Sequence, residues 1–471
     1  MYPTSGDSRA TLDKLGWSVG LVSTVGTMNH PVPLPLEAPD ISFLTSGGSF
    51  VRRTVLPSGV RVLTEAMPGT HSTSIGYWVG VGSRDEREGQ YGSTHFLEHL
   101  LFKGTAQRSA LDIAVAFDSV GGEHNAATAK EYTCYYARVR DADVPMAVSV
   151  IGDMVTKSTL DTAAFDVERG VILEELAMAA DDPADVAGEA FFASTFAGHA
   201  LGRPIGGTPE SIREVQRDEV MAHYAEHYEP NGIVVTAAGA VDHDAFCDLV
   251  AAVFADAASA SPLARREAEP AADAAEARLR VVHRPTEQVS LLRGSQGLDL
   301  RDDRRPVLSV LNAVLGGGMS SRLFQEVRER RGLAYAVSSF APAYLDNGAF
   351  GVYAGCAPDN VAGVIDIIDA EFRRMVDHGI TEDELRRAKG QIEGALTLSL
   401  EDSDARMTRL GRAELGTGEF TDLTTALERV DHVTAADVLD LSRDLLTRPT
   451  VTAVVGDLEQ ERLAAAIGIG G

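Results

Sequence analysis

The chain has 471 residues, 44% of them hydrophobic and 24% charged, and a formal net charge of −27. That length exceeds one ordinary core and calls for two domains or more. The composition excludes a disordered or fibrous chain, and the acidic balance argues against a nucleic-acid partner, because phosphate binding needs a basic face. The same balance fits either a solvated acidic surface or a cavity that admits basic peptides. The cysteines Cys134, Cys247 and Cys356 are far apart and form no C-x-x-C pair, which points to a reducing compartment. No apolar run approaches the roughly 18 residues of a membrane span. The run Leu15 to Gly26 is diluted by Ser, Gly and Thr and lacks a cleavage site. A cytoplasmic protein without a membrane partner is expected.

Residues 1–48 read as a loop-like extension, with Pro31, Pro33, Pro35 and Pro39 close together and Met28 as a second candidate start. A first domain is expected over residues 49–257. It opens with a hairpin, Val51 to Leu56 and Val60 to Thr64 around Pro57-Ser58-Gly59, followed by a strand from Ser74 to Val81. An apolar helix bearing His95, Glu98 and His99 comes next, then a helix from Ala110 to Val120 and an extended segment from Asn125 to Arg138. Ala142 to Met154, Ala163 to Ala179 and Glu210 to Tyr228 read as helices, Ile233 to Ala238 as a strand, and Asp244 to Ala257 as a closing helix. Residues 258–278, rich in Ala, Glu and Pro, read as a linker.

Residues 279–471 replay this order. Val289 to Gly297 and Arg305 to Leu315 stand where the first half has a strand and the histidine helix. Gly316-Gly317-Gly318 leads to Ser321 to Arg331; then come strands at Leu333 to Ala341 and Gly348 to Gly355, helices at Ala362 to Val376 and Glu382 to Glu401, and a strand at Val451 to Gly456. Two similar α/β-sandwich domains in tandem, an α+β fold, are predicted, and only the first carries the histidines.

His95-Phe96-Leu97-Glu98-His99 fits H-x-x-E-H, the inverted zincin motif. Residues four apart share a helix face, so His95 and His99 can aim at one point. Two neutral imidazoles suit Zn²⁺, and the adjacent Glu98 suits a general base. A third ligand is needed. Glu168 and Glu175, seven apart in one helical stretch, share a face, with Glu174 turned away by roughly 100°. From the residues alone, metal ligation and a solvated charged face both stay open. A second match, His223-Tyr224-Ala225-Glu226-His227, lies among polar residues as a surface helix would, whereas the first is embedded in Phe96, Leu97, Leu100, Leu101 and Phe102.

The chain resembles the pitrilysin-type (inverzincin) zinc peptidases, closest to the mitochondrial processing peptidase branch and its bacterial homologues. The likeness rests on His95 to His99 with Phe102-Lys103-Gly104-Thr105, Gly121-Gly122 with Asn125-Ala126 and Glu131, Glu168 to Ile172 with Glu174-Glu175, and Leu201 to Thr208. In the second half it rests on Gly316 to Leu323 and Arg328 to Tyr335. The resemblance implies one Zn²⁺ per chain held by His95, His99 and Glu175, with Glu98 as base and Glu168 as an additional acidic residue of the site. It implies that Arg328 and Tyr335 contact the substrate backbone, and that a peptide adds as a strand beside Asn125 and Ala126. It further implies an endopeptidase for extended peptides working as a homodimer, Arg328 and Tyr335 acting on the partner's site. A non-catalytic subunit of the same fold and a general oligopeptidase remain as alternatives.

Overall fold

A computed structural model describes residues 30–269 and 279–467. The question of Met28, and part of the expected linker, lie outside the described residues. The first half forms a seven-stranded sheet in the spatial order Asp40–Leu44, Phe50–Val55, Arg61–Ala66, Ile233–Gly239, Ser72–Val79, Thr133–Arg140 and Glu123–Thr128. All neighbours are antiparallel except Arg61–Ala66 with Ile233–Gly239. The second half forms a five-stranded sheet in the order Ala334–Phe340, Ala349–Cys356, Val289–Gln296, Val451–Gly456 and Leu279–His283, the last pair parallel. Five strands of the first sheet, counted from Glu123–Thr128 to Arg61–Ala66, repeat that connectivity. The tandem α+β expectation therefore holds.

Each sheet buries one face under helices of its own half, around Phe96, Ile151 and Phe246 in the first half and Leu311, Val352 and Ile368 in the second. The other face is covered by exchange. Helix Pro183–Thr195 of the first half packs on the second sheet, placing Phe191 and Ala187 against Leu292, Ala453 and Val455. Helix Ser403–Leu415 of the second half packs on the first sheet, placing Met407 and Leu410 against Trp78 and Val234. A Cβ on Gly411 would stand 2.3 Å from the Trp78 ring, so a side chain there would push this helix off the sheet. With both faces covered, central strands such as Ile233–Gly239 and Val451–Gly456 are buried throughout and lose the polar alternation of a half-exposed strand.

Three sequence expectations change. The extension through residue 48 is not all loop: Asp40–Leu44 is the outer strand of the first sheet, and Val32–Pro33 pairs with Glu419–Phe420 of the other half. The extended stretch from Asn125 to Arg138 is a hairpin of two strands, and Glu210 to Tyr228 is two helices, Pro209–Glu214 and Arg217–His227. The described part of the linker has neither helix nor strand, yet it is anchored. Arg265 binds the fully buried Glu414 at 3.0 Å, and Arg266 pairs with Asp85. Arg84 is a further tie between the halves, bonding Glu131 at 2.5 Å and Asp346 at 3.0 Å. No helix among the described residues is long and apolar enough to cross a membrane.

Candidate metal centre

The histidine helix, Ser93–Leu101, buries Phe96, Leu97, Leu100 and Leu101 completely and turns His95, Glu98 and His99 to the other side. Gly92 precedes it at φ 92°, a left-handed conformation that a side chain would strain. The buried Glu86 accepts the backbone N–H groups of Gly92 and Thr94, each at 2.8 Å, and so places a carboxylate at the positive end of the helix. Burial pushes the Glu86 carboxyl up to about 7. Arg203 in turn donates to the carbonyls of Ser83, Arg84 and Glu86, fixing the segment that leads into the helix.

The second helix of the site, Thr162–Asp181, starts at Asp161, whose side chain accepts from Ala163 N and Ala164 N. Phe165 stacks on Phe96 with centroids 4.3 Å apart and planes 10° from parallel. Arg169 covers Phe165 and donates to Val215 O at 2.9 Å. This packing sets the glutamates opposite the histidines, two turns of helix separating Glu168 from Glu175.

His95, His99 and Glu175 each offer a ligand atom, and these atoms lie within 4.8 Å of one another. Glu175 Oε2 is 3.7 Å from His95 Nε2 and 3.3 Å from His99 Nε2. His99 donates from Nδ1 to Glu168 Oε2 at 3.0 Å, which leaves its Nε2 turned toward Glu175. Burial, and then the neighbouring His99, push the His95 pKa down, favouring a neutral imidazole. His95 Nδ1 is buried without a hydrogen-bond partner. Two imidazoles and a half-exposed carboxylate form a donor set that suits Zn²⁺. Glu174 is exposed and outside the group.

Glu98 is half-buried and accepts a hydrogen bond from Thr128 Oγ1 at 2.5 Å. Thr128 ends the strand Glu123–Thr128, an edge of the first sheet that among the described residues pairs only with Thr133–Arg140. Asn125 lies exposed on that edge and Ala126 is buried. Arg328 and Tyr335 stand together in the second half, on the π-helical turn Phe324–Glu329 and the edge strand Ala334–Phe340. The Arg328 guanidinium lies 4.5 Å from the Tyr335 ring centroid and donates to Tyr335 O at 3.1 Å. Tyr335 is 77% exposed. No hydrogen bond or ion pair among the described residues joins this pair to the histidines.

The second H-x-x-E-H match corrects an expectation. Its helix packs on the histidine helix, and His223, expected at a surface, is fully buried with Nε2 3.1 Å from Thr94 Oγ1. Burial pushes its pKa down to about 4. Glu226 pairs with Arg87, and among the described residues His223 and His227 belong to no group of three side chains placed to hold a metal. Sequence reasoning missed Glu86 and Thr128 as supports of the site; neither lies at a capping-box or ligand spacing, so no local pattern marks them.

Residues 61–209 match the family model described as insulinase (peptidase family M16), and residues 214–392 the model described as peptidase M16 inactive domain. An uncharacterized zinc protease of Streptomyces coelicolor is 48% identical over 88% of this chain and 91% of its own length. The uncharacterized zinc protease YmxG of Bacillus subtilis is 37% identical over 86% of this chain and 98% of its own. Among solved structures, a protease from Helicobacter pylori matches with a TM-score of 0.80 at 20% identity, covering 88% of this chain and all (100%) of that one. A peptidase M16 inactive domain from Pseudomonas fluorescens matches with a TM-score of 0.79, also at 20% identity, covering 89% and 98%. These last two likenesses concern the fold.

Proposed function

The chain belongs to the peptidase M16 family, and from that premise we propose that it is a zinc-dependent endopeptidase acting on unfolded or extended peptides. The observation that carries this reading is the convergence of His95, His99 and Glu175 beside Glu98. One Zn²⁺ per chain, held by those three residues, would supply Lewis acidity, lowering the pKa of water and polarising the scissile carbonyl. The rest falls to the chain's own groups. Glu98 takes a proton from the attacking water and holds it on a carboxylate oxygen for the leaving amine. The free edge of Glu123–Thr128, at Asn125 and Ala126, pairs with the substrate main chain and brings the bond to be cut toward Glu98, with little demand on side-chain identity.

Arg328 and Tyr335 complete the site from a second copy of the chain. The high exposure of Tyr335, the half-buried Arg328 stacked on it, and the confinement of both to the second half support this arrangement. There they hold the substrate carbonyl as negative charge develops. Metal analysis with a quenched-peptide assay tests the function. One zinc per chain and chelator-sensitive hydrolysis are expected; a zinc-free chain, or hydrolysis indifferent to chelator, would overturn it. Mapping cleavage sites in a peptide library by mass spectrometry then separates a processing-type peptidase from a general oligopeptidase.

A further inference from the structure

We propose that Lys103 is a positioning residue of this metal centre: acting through Glu168, it holds His99 in the orientation that presents Nε2 to Glu175. The proposal rests on the zinc reading given above. Lys103 follows His99 by four residues, one helical turn, so its side chain starts on the face that carries the histidines. A lysine just past a helix end ordinarily extends into water near the negative pole of the helix. This one reaches across to the other helix, and its Nζ lies 2.7 Å from Glu168 Oε1.

Glu168 links the two. Its side chain is only 4% exposed, and each oxygen has a partner, Oε2 taking His99 Nδ1 at 3.0 Å and Oε1 taking Lys103. A carboxylate withdrawn from water needs such compensation for both oxygens. Without Lys103, Oε1 would be buried without its cation, and the side chain would gain by turning toward solvent. His99 would then lose its acceptor. A neutral imidazole carries one proton, and only when Nδ1 holds it is Nε2 free to ligate. His99 depends on this support more than His95 does. The Nδ1 of His95 has no hydrogen-bond partner, so no buried carboxylate orients its ring as Glu168 orients that of His99.

Equilibrium zinc affinity of the full chain, measured by competition with a chromogenic chelator, tests the proposal. Lys103→Met should weaken zinc about 10–100-fold, the range for losing an outer partner of a metal ligand. Lys103→Arg keeps a cation within reach and should recover most of that affinity. Lys103→Met combined with Glu168→Gln should be little weaker than Glu168→Gln alone, because both act through one carboxylate. Thermal unfolding of the zinc-free variants separates these effects from a general loss of folding. Wild-type affinity in Lys103→Met would overturn the proposal, as would an equal loss in Lys103→Arg or full additivity in the double variant. A wild-type chain that takes up no zinc would sink the metal-centre reading itself; zinc-competent wild type with an indifferent Lys103→Met sinks this proposal alone.

Discussion

The hydroxyl of Thr128, on one of the two edge strands of the first sheet, donates to Glu98 on the histidine helix at 2.5 Å. The edge proposed to bind substrate and the group proposed to move the proton are thus joined directly. Glu98→Gln keeps the shape of the side chain and removes its basicity. It should retain zinc and lose about 10²–10⁴-fold in kcat. Thr128→Val should lose about 10–100-fold, the worth of one hydrogen bond to a charged group. Steady-state kinetics beside zinc analysis decides; near-normal turnover in Glu98→Gln rules out its role as the base.

If Arg328 and Tyr335 act on the partner's site, two inactive chains should rescue each other. A Glu98→Gln chain mixed with an Arg328→Ala chain assembles one site per mixed dimer with every group present. Activity should return on mixing and track the fraction of mixed dimer. A purified mixed dimer without activity contradicts action across the interface.

Glu86 makes stability depend on pH in a defined direction. Its carboxyl is pushed up to about 7 by burial, from the ordinary 4.5. Below about pH 4.5 it is protonated in both folded and unfolded chains. Between that value and 7 the folded chain binds more protons, so stability falls as pH rises and levels off above 7, by on the order of 3 kcal/mol in all. Glu86→Gln should flatten this part of the profile. Urea midpoints of both proteins from pH 4.5 to 8 provide the check, and parallel profiles refute it.

Arg84 holds the halves together at a buried position. Its guanidinium bonds Glu131 and Asp346, and the Asp346 side chain is only 2% exposed. Arg84→Met leaves Asp346 buried without its counterion, which should cost about 3–5 kcal/mol. Replacing both residues, as Arg84→Met with Asp346→Leu, should recover part of that loss. Denaturant unfolding measures both, and a single variant as stable as wild type argues against a tie of this strength.

Much of the candidate site was legible because it lies within single helices. Four residues separate His95 from His99 and seven separate Glu168 from Glu175, and helical geometry alone places each pair on one face. The apolar run from Phe96 to Leu101 marked which side of the histidine helix is buried. The same reasoning misplaced His223, since its polar neighbours describe only one face of Arg217–His227; what covers His223 is the histidine helix, more than a hundred residues earlier in the chain.

By itself, the sequence determined the duplicated α+β order, the helical faces that carry the histidines and glutamates, and the open choice between metal ligation and a solvated face for Glu175. Those properties depend on neighbours within one or two turns of helix. Tertiary structure decided the convergence of His95, His99 and Glu175, the reach of Lys103 to Glu168, and the edge position of Glu123–Thr128. It also decided the exchange of Pro183–Thr195 and Ser403–Leu415 between the halves. The physical reason is that each of these depends on which surface arrives opposite. A strand is an edge only by its place in the sheet, and a carboxylate meets an imidazole only where two helices pack.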